Sequence, residues 1–337
     1  MKSTAVDIGG ANLKIADGEG FSLSRSFSLW KEPARLAENL VGLLAESPVA
    51  EVLAVTMTGE LSDCFETKAE GVNKILDAVE QVAADRQVLV YLCDGRLVPT
   101  RAARAEALLA GASNWHVLAG YVSRFCGGGA GLLVDIGSTT ADIIPLGPAG
   151  PQTVGRTDPE RLVAGELVYT GVERSPICAV LRELSWRGEA CPVAQELFAT
   201  TLDAYLLLDE LAENANDFQT ADGRPRTKEH AQGRLARAIC ADVTMFSRKE
   251  GKCAAEAIRE AQLQQLLVAA KRVLGRMQSL PKTIVISGQG EFLARRLVER
   301  IGDNISFFSL AEELGPEISR SACAHALATL VREGAVG

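Results

Sequence analysis

The chain writes one short pattern twice. Val6-Asp7-Ile8-Gly9-Gly10-Ala11-Asn12-Leu13-Lys14-Ile15 recurs as Val134-Asp135-Ile136-Gly137-Ser138-Thr139-Thr140-Ala141-Asp142-Ile143, with the Asp, the Ile, the first Gly and the closing Ile in register. Each copy is an apolar run, a carboxylate, a turn of small residues and a second apolar run. The spacing predicts two tight β-hairpins with an Asp at each mouth, glycine supplying the dihedrals of the reversal. Small residues at the turns (Gly9, Gly10, Ala11; Gly137, Ser138, Thr139, Thr140) leave backbone N–H groups uncovered, so an anionic group can approach closely. Gly9, Gly10, Asn12, Gly137, Ser138 and Thr139 are therefore candidate phosphate contacts. A carboxylate beside such a cradle repels phosphate but can hold a magnesium ion that the phosphate also binds, which makes Asp7 and Asp135 the candidate metal ligands. One such hairpin is a common turn. Two, each opening what reads as its own domain, point to a phosphate–metal site in a cleft between them.

A third stretch, Thr283-Ile284-Val285-Ile286-Ser287-Gly288-Gln289-Gly290-Glu291-Phe292, reads as a buried strand, a Gly-x-Gly turn and a helix, adding Gly288 and Gly290 to the candidate contacts. The three stretches together resemble the actin-like ATPase superfamily. That resemblance implies an α/β fold of two ribonuclease-H-like domains with a central cleft.

The order of elements agrees. Residues 3–8, 12–16 and 21–27 read as a three-stranded meander, followed by helices over 33–44 and 71–84 alternating with strands over 51–56 and 87–92, and a helix over 101–109. Five residues, Gly127 to Gly131, make a flexible break, so the first domain is placed at 1–126 and the second at 131–315. The second meander is expected at 131–136, 140–146 and 152–155. A helical insertion over about 157–280 should hold helices at 192–212, 227–245 and 254–277. A closing helix over 316–332 should complete the first domain. The polar stretch 214–227 has no apolar period and reads as a long, lid-like loop.

A net charge of −8 and the lack of any Lys/Arg tract argue against nucleic acid or a membrane surface as partner. No apolar run is long enough to span a bilayer, and a strand begins too early for a signal peptide, so a cytoplasmic protein is expected. Eight scattered cysteines without a Cys-x-x-Cys read as free thiols, and three histidines share no metal-ligand spacing. No feature specifies an oligomeric state.

Three groups could carry chemistry. Glu60 and Asp63 lie on the loop leaving the fourth strand, at the carboxyl edge of the sheet where ligands collect, and either could be a general base or a second metal ligand. Lys14, just past the first turn, could offer a point charge to phosphate. Asp222-Gly223-Arg224-Pro225-Arg226-Thr227-Lys228-Glu229-His230 combines three cations with a helix start capped by Thr227, a good diphosphate receptor. Arg234 and Arg237 could extend that patch or pair with Asp242 and Glu229. Glu166 is a weaker candidate, with a merely solvated side chain as its alternative.

Several stretches carry a narrower resemblance: residues 7–12, Met57-Thr58-Gly59-Glu60-Leu61-Ser62-Asp63, Ser113-Asn114-Trp115-His116, Gly165-Glu166-Leu167-Val168-Tyr169-Thr170-Gly171-Val172 and the 222–230 segment. They resemble the tetrahydromethanopterin-linked one-carbon transfer pathway proteins of methanogens and methylotrophs, within the hydantoinase/oxoprolinase relatives, over nearly the whole chain. The resemblance implies a transferase of methanofuran-type cofactor biosynthesis, condensing γ-glutamyltyramine with an aminomethyl-furanmethyl diphosphate and releasing diphosphate. Its partners would be that small-molecule diphosphate and the phenolic acceptor, with Mg2+ as cofactor, Glu60 or Asp63 as base, and Arg226 and Lys228 clamping the diphosphate. Ala11 stands where many ATP-binding relatives carry Thr, which leaves ATP open. The same scaffold would also suit an ATP-dependent kinase or amidohydrolase, or a nucleotide-switched binding module.

Overall fold

Both copies of the repeat fold as hairpins in the computed structural model, which describes residues 2–302 and 305–335. The first hairpin is β1 (Ser3–Ile8) and β2 (Asn12–Ala16); with β3 (Ser22–Ser26), β4 (Val52–Met57), β5 (Gln87–Tyr91) and β6 (Leu97–Pro99) it forms a sheet ordered β3-β2-β1-β4-β5-β6. β1 runs parallel to β4, and every residue of both strands is buried, as expected of central strands covered on two faces. Helices Leu36–Glu46 and Lys68–Val82 lay Leu40, Leu43, Val72, Ile75 and Leu76 over Ile8, Leu13, Ile15 and Val55.

The second sheet contains β7 (Gly131–Ile136), β8 (Ala141–Gly147), β9 (Gly150–Pro151), β10 (Leu167–Val168), β13 (Thr283–Ser287) and β14 (Ser306–Ser309), while β11 (Glu183–Trp186) and β12 (Glu189–Pro192) form a separate hairpin. Its path, β10-β8-β7-β13-β14, repeats the antiparallel-then-parallel order of the first. These are two ribonuclease-H-like halves.

Helices Asn114–Val122 and Ala322–Glu333 hold the halves together. Trp115, Leu118 and Leu327 share one core with Ala5 and Ala54 of the first sheet and Leu133, Ile144 and Val285 of the second. The C-terminal helix lies on the first sheet: Ser3 Oγ donates to the Ala328 carbonyl at 3.0 Å and Thr329 Oγ1 to the Gly18 carbonyl at 3.2 Å. Among the described residues no helix is long and apolar enough to cross a membrane, and all eight cysteines are free.

Several expected elements differ, each for a tertiary reason. Residues 152–155 form no strand, because Val154 and Gly155 donate their N–H groups to the Glu166 carboxylate at 2.9 and 3.1 Å, and β10 takes the vacant place beside β8. Glu166 is therefore a buried anchor, not a solvated residue. The helix expected over 192–212 shrinks to Thr201–Leu207, since Val193 and Ala194 bond to Arg182 and Ala238. That expected over 227–245 stops at Arg237, near Cys240 with φ +58°. The 101–109 helix breaks at Glu106, and the closing helix breaks at Ser321 into Pro316–Arg320 and Ala322–Glu333. Helix Arg248–Leu274, beginning with a Ser247/Glu250 capping box, starts earlier than expected.

Candidate functional site

The two hairpin turns close with the same hydrogen bond: Gly9 N–H donates to the Asn12 carbonyl at 3.0 Å, and Gly137 N–H to the Thr140 carbonyl at 2.9 Å. None of Gly9, Gly10 and Gly137 has positive φ, so the glycines supply space and not the unusual dihedrals expected of them. A Cβ on Gly9 would lie 3.0 Å from the Asn12 carbonyl, and one on Gly10 3.1 Å from Ser62 Oγ. One on Gly137 would meet nothing closer than 3.5 Å, so the fold itself does not require a glycine there. Gly288 does need to be glycine: its φ is +90°, and a Cβ would lie 2.3 Å from the Ile136 carbonyl and 2.7 Å from Asp135 Oδ1.

Cross-strand register places Asp7 opposite Lys14 and Asp135 opposite Asp142. The same position of the repeat thus carries a cation in one half and a carboxylate in the other.

Two cavities adjoin the hairpins. The larger, about 340 Å³, is bordered by Gly10 and Ala11 of the first turn and by Thr139 and Thr140 of the second. Glu60, Asp63, Asp142, Asp158, Arg161 and Arg174 add charge to its wall, and Trp30, Trp115 and Tyr169 add aromatic surface. The smaller, about 100 Å³, is bordered by Asn12, Lys14, Asp135, Gly137, Ser138, Gly288 and Gln289, with Arg320 at the end of helix Pro316–Arg320 and Cys323 at the start of the C-terminal helix.

Glu60 is 1 % exposed and its Oε2 has no hydrogen-bond partner. Burial raises its pKa, opposed chiefly by the Lys68 ammonium 3.3 Å away. The backbone is cut to fit Glu60: a Cβ on Gly71 would lie 2.1 Å from its carbonyl, and one on Gly111 2.9 Å from its Cγ. Lys68 also binds Asp158 of the second half, and Arg161 binds Asp142 and Asp158 while standing 4.0 Å over the Trp115 ring. A charged chain therefore crosses the cleft. On the hairpins, Asp7 is 3 % exposed, with Lys14 at 3.9 Å and Oδ1 unpartnered; burial raises its pKa against the pull of Lys14 and Asn114. Asp135 is pushed up to about 6 by burial and by Asp142, against Lys14 and Ser287. Burial opposes the Lys14 charge, but Asp7, Cys323 and Asp135 outweigh it and raise that pKa.

Glu60, Asp63, Gly10 and Thr139 thus meet at the larger cavity, and Asn12, Lys14, Asp135, Gly137, Ser138 and Gly288 at the smaller. Asp7 borders neither, nor does Gly290, whose missing Cβ lets Ile136 pack within 2.5 Å of that position. Arg226 and Lys228 are not at either cavity, contrary to expectation. Arg226 is held by Glu173 at 2.7 Å and by Asp217 of its own loop at 3.6 Å, and Lys228 by Asp209, so carboxylates from other segments take up both cations. Arg234 is fully buried, paired with Asp203 at 2.7 Å and Asp222 at 3.0 Å instead of Asp242 or Glu229, and Arg237 also turns to Asp222. The 214–227 loop reaches the first half through Gln219, which donates to Ser26 Oγ at 2.6 Å.

Among the described residues no three His, Cys, Asp or Glu side chains group as a metal cage. Magnesium commonly needs only one or two carboxylates besides substrate phosphates, and the orphaned Asp7 oxygen and the charge-strained Asp135 fit that pattern. The sequence reading missed Trp30, Lys68, Asp142, Asp158, Arg161 and Arg174. Only Asp142 had a signal, its place in the repeat.

The hydantoinase/oxoprolinase family profile matches residues 51–333. The (4-{4-[2-(gamma-L-glutamylamino)ethyl]phenoxymethyl}furan-2-yl)methanamine synthase of Methanocaldococcus jannaschii is 31% identical over 331 residues, 97% of each chain. The protein of the same name from Methanococcus vannielii is 29% identical over 203 residues, 60% of this chain and 90% of that one. Among solved structures, nucleotide-free acetone carboxylase aligns with a TM-score of 0.54 over 97% of this chain and 70% of that one, at 10% identity, a likeness of fold alone. The chain belongs to the hydantoinase/oxoprolinase family, on the actin-like ATPase fold.

Proposed function

We propose that the protein is the synthase its relatives are named for, joining γ-glutamyltyramine to an aminomethyl-furanmethyl diphosphate to give the aryl ether and free diphosphate. The observation that carries this reading is 31% identity across 97% of the chain to that synthase. The cavity supports it, since one space holds both hairpin turns, aromatic walls and a buried carboxylate.

Glu60 takes the phenolic proton. A tyramine-type hydroxyl has a pKa near 10, so a carboxylate whose own pKa is raised narrows the gap, and the unpartnered Oε2 is free to accept. The Lys68 ammonium favours the charged form of Glu60 against its burial. The phenolic oxygen forms its bond to the furanmethyl carbon as that carbon's bond to the diphosphate oxygen breaks. The proton remains on Glu60 until solvent removes it, and the electron pair leaves with diphosphate. Backbone N–H groups of the two turns and the Lys14 ammonium receive the departing charge. Magnesium, held through Asp7 and Asp135, would neutralise the diphosphate oxygens. Tyr169, exposed on the wall of the larger cavity, offers a flat face to the aromatic reactants. The reaction assigns no role to ATP.

The test is mass spectrometry of a mixture of protein, magnesium, γ-glutamyltyramine and the furanmethyl diphosphate. Ether and diphosphate should appear, and Glu60→Gln should lower kcat by roughly 10²–10⁴. A parallel tube with ATP and no furan that yields ADP, while the first yields no ether, would replace the synthase with an ATP-dependent enzyme on this scaffold.

A further inference from the structure

Four carboxylates border the larger cavity, with two guanidiniums, Arg161 and Arg174. Arg161 is committed to Asp142 and Asp158. Arg174 is not. Among the described residues it forms no ion pair, and its side chain donates no hydrogen bond, although the protein is acidic and the same cavity offers carboxylates. Its guanidinium carbon instead lies 4.6 Å from the centre of the Trp30 ring, a stacking that leaves the edge of the fork open.

Both partners are tied to the hairpins. Val172 N–H donates to the Gly137 carbonyl at 3.0 Å, and Glu173 and Arg174 donate to the Ser138 carbonyl at 3.0 and 2.9 Å. On the other side Leu29 N–H donates to the Gly10 carbonyl at 2.9 Å. The open fork therefore keeps a set position relative to both turns.

A guanidinium edge offered from an aromatic platform, on a wall that is otherwise negative, suits a carboxylate. We propose that Arg174 determines acceptor specificity by taking the α-carboxylate of the γ-glutamyl group, while Asp63, the wall carboxylate outside the ion pairs to Lys68 and Arg161, faces the substrates' ammonium groups. This assignment rests on the reaction proposed above. The charges correspond: the acceptor brings one carboxylate and one ammonium, and the furan arm a second ammonium, to a wall with more carboxylates than guanidiniums. Diphosphate is the competing anion, but Lys14 and Arg320 border the smaller cavity with Gly137, Ser138 and Gly288, and suit it better.

The experiment compares γ-glutamyltyramine with tyramine, by calorimetric binding and by kcat/KM for ether formation, in the wild type, Arg174→Gln and Arg174→Lys. The wild type should prefer γ-glutamyltyramine by about tenfold or more, as a charge-assisted hydrogen bond provides, and Arg174→Gln should bring the ratio near one. Arg174→Lys, which keeps the charge without the fork, should fall between. A preference that survives in Arg174→Gln overturns the assignment. Weakened binding of inorganic diphosphate in Arg174→Gln with the preference intact also overturns it, giving Arg174 to the leaving group. A wild type that shows the binding preference but makes no ether would refute the reaction and uphold the receptor. Ether made without any preference would refute the receptor alone.

Discussion

Replacing Asp135 by Asn should make the protein more stable while removing its activity. The carboxylate is pushed from 3.8 to about 6 by burial and by Asp142 across the hairpin, so its charged form costs folding free energy at neutral pH. At 1.36 kcal/mol per pKa unit the shift corresponds to about 3 kcal/mol, an upper bound because Asp135 borders a cavity where water screens it. The sign follows from proton linkage. The folded state holds the proton to higher pH than the unfolded chain, so the cost is small near pH 4, grows as pH rises through about 6 and is complete above it. In urea unfolding followed by circular dichroism, Asp135→Asn should raise the midpoint at pH 7.5 with an unchanged slope, and the gain should fall to about half at pH 5. Ether formation should be lost at both pH values. A variant that is less stable at pH 7.5, or a gain independent of pH, would refute the reasoning.

Three further substitutions separate architecture from chemistry. Gly137→Ala has space in the fold, with its nearest neighbour 3.5 Å away and φ not positive, so stability should change by less than about 0.5 kcal/mol while diphosphate binding by calorimetry weakens. Gly111→Ala would press on Glu60, whose Cγ lies 2.9 Å from the new methyl; kcat should fall at least about tenfold, and a melt should show roughly 1–3 kcal/mol of overpacking. Arg234→Met leaves buried Asp203 without its partner and releases Asp222 of the long loop. It should cost about 3–5 kcal/mol in chemical unfolding, far more than an exposed pair such as Arg35–Glu32 would.

The halves of the fold were legible because the information is local. A strand, a small-residue turn and a return strand lie within ten residues, and finding the unit twice set the pseudo-symmetric architecture. Asp142 had a signal there as the repeat partner of Lys14, but it was missed. Element ends were less legible, because distant groups decide them: the Glu166 carboxylate takes the N–H groups that a third meander strand would have used. The loop cations misled for a similar reason, since whether Arg226 is free depends on Glu173. The cavity wall joins Trp30, Lys68's partner Asp158, Trp115 and Arg174 from separate segments, and no spacing along the chain brings them together.

The central claim is direct displacement of diphosphate by the phenol, and the most direct test follows the phenolic oxygen. γ-Glutamyltyramine labelled with oxygen-18 at the hydroxyl, given to the protein with magnesium and the furanmethyl diphosphate, should yield ether that keeps the label and diphosphate that carries none. Label in phosphate or diphosphate, or ether formed only when ATP is added, would show that phosphoryl transfer activates a substrate, and would contradict the account.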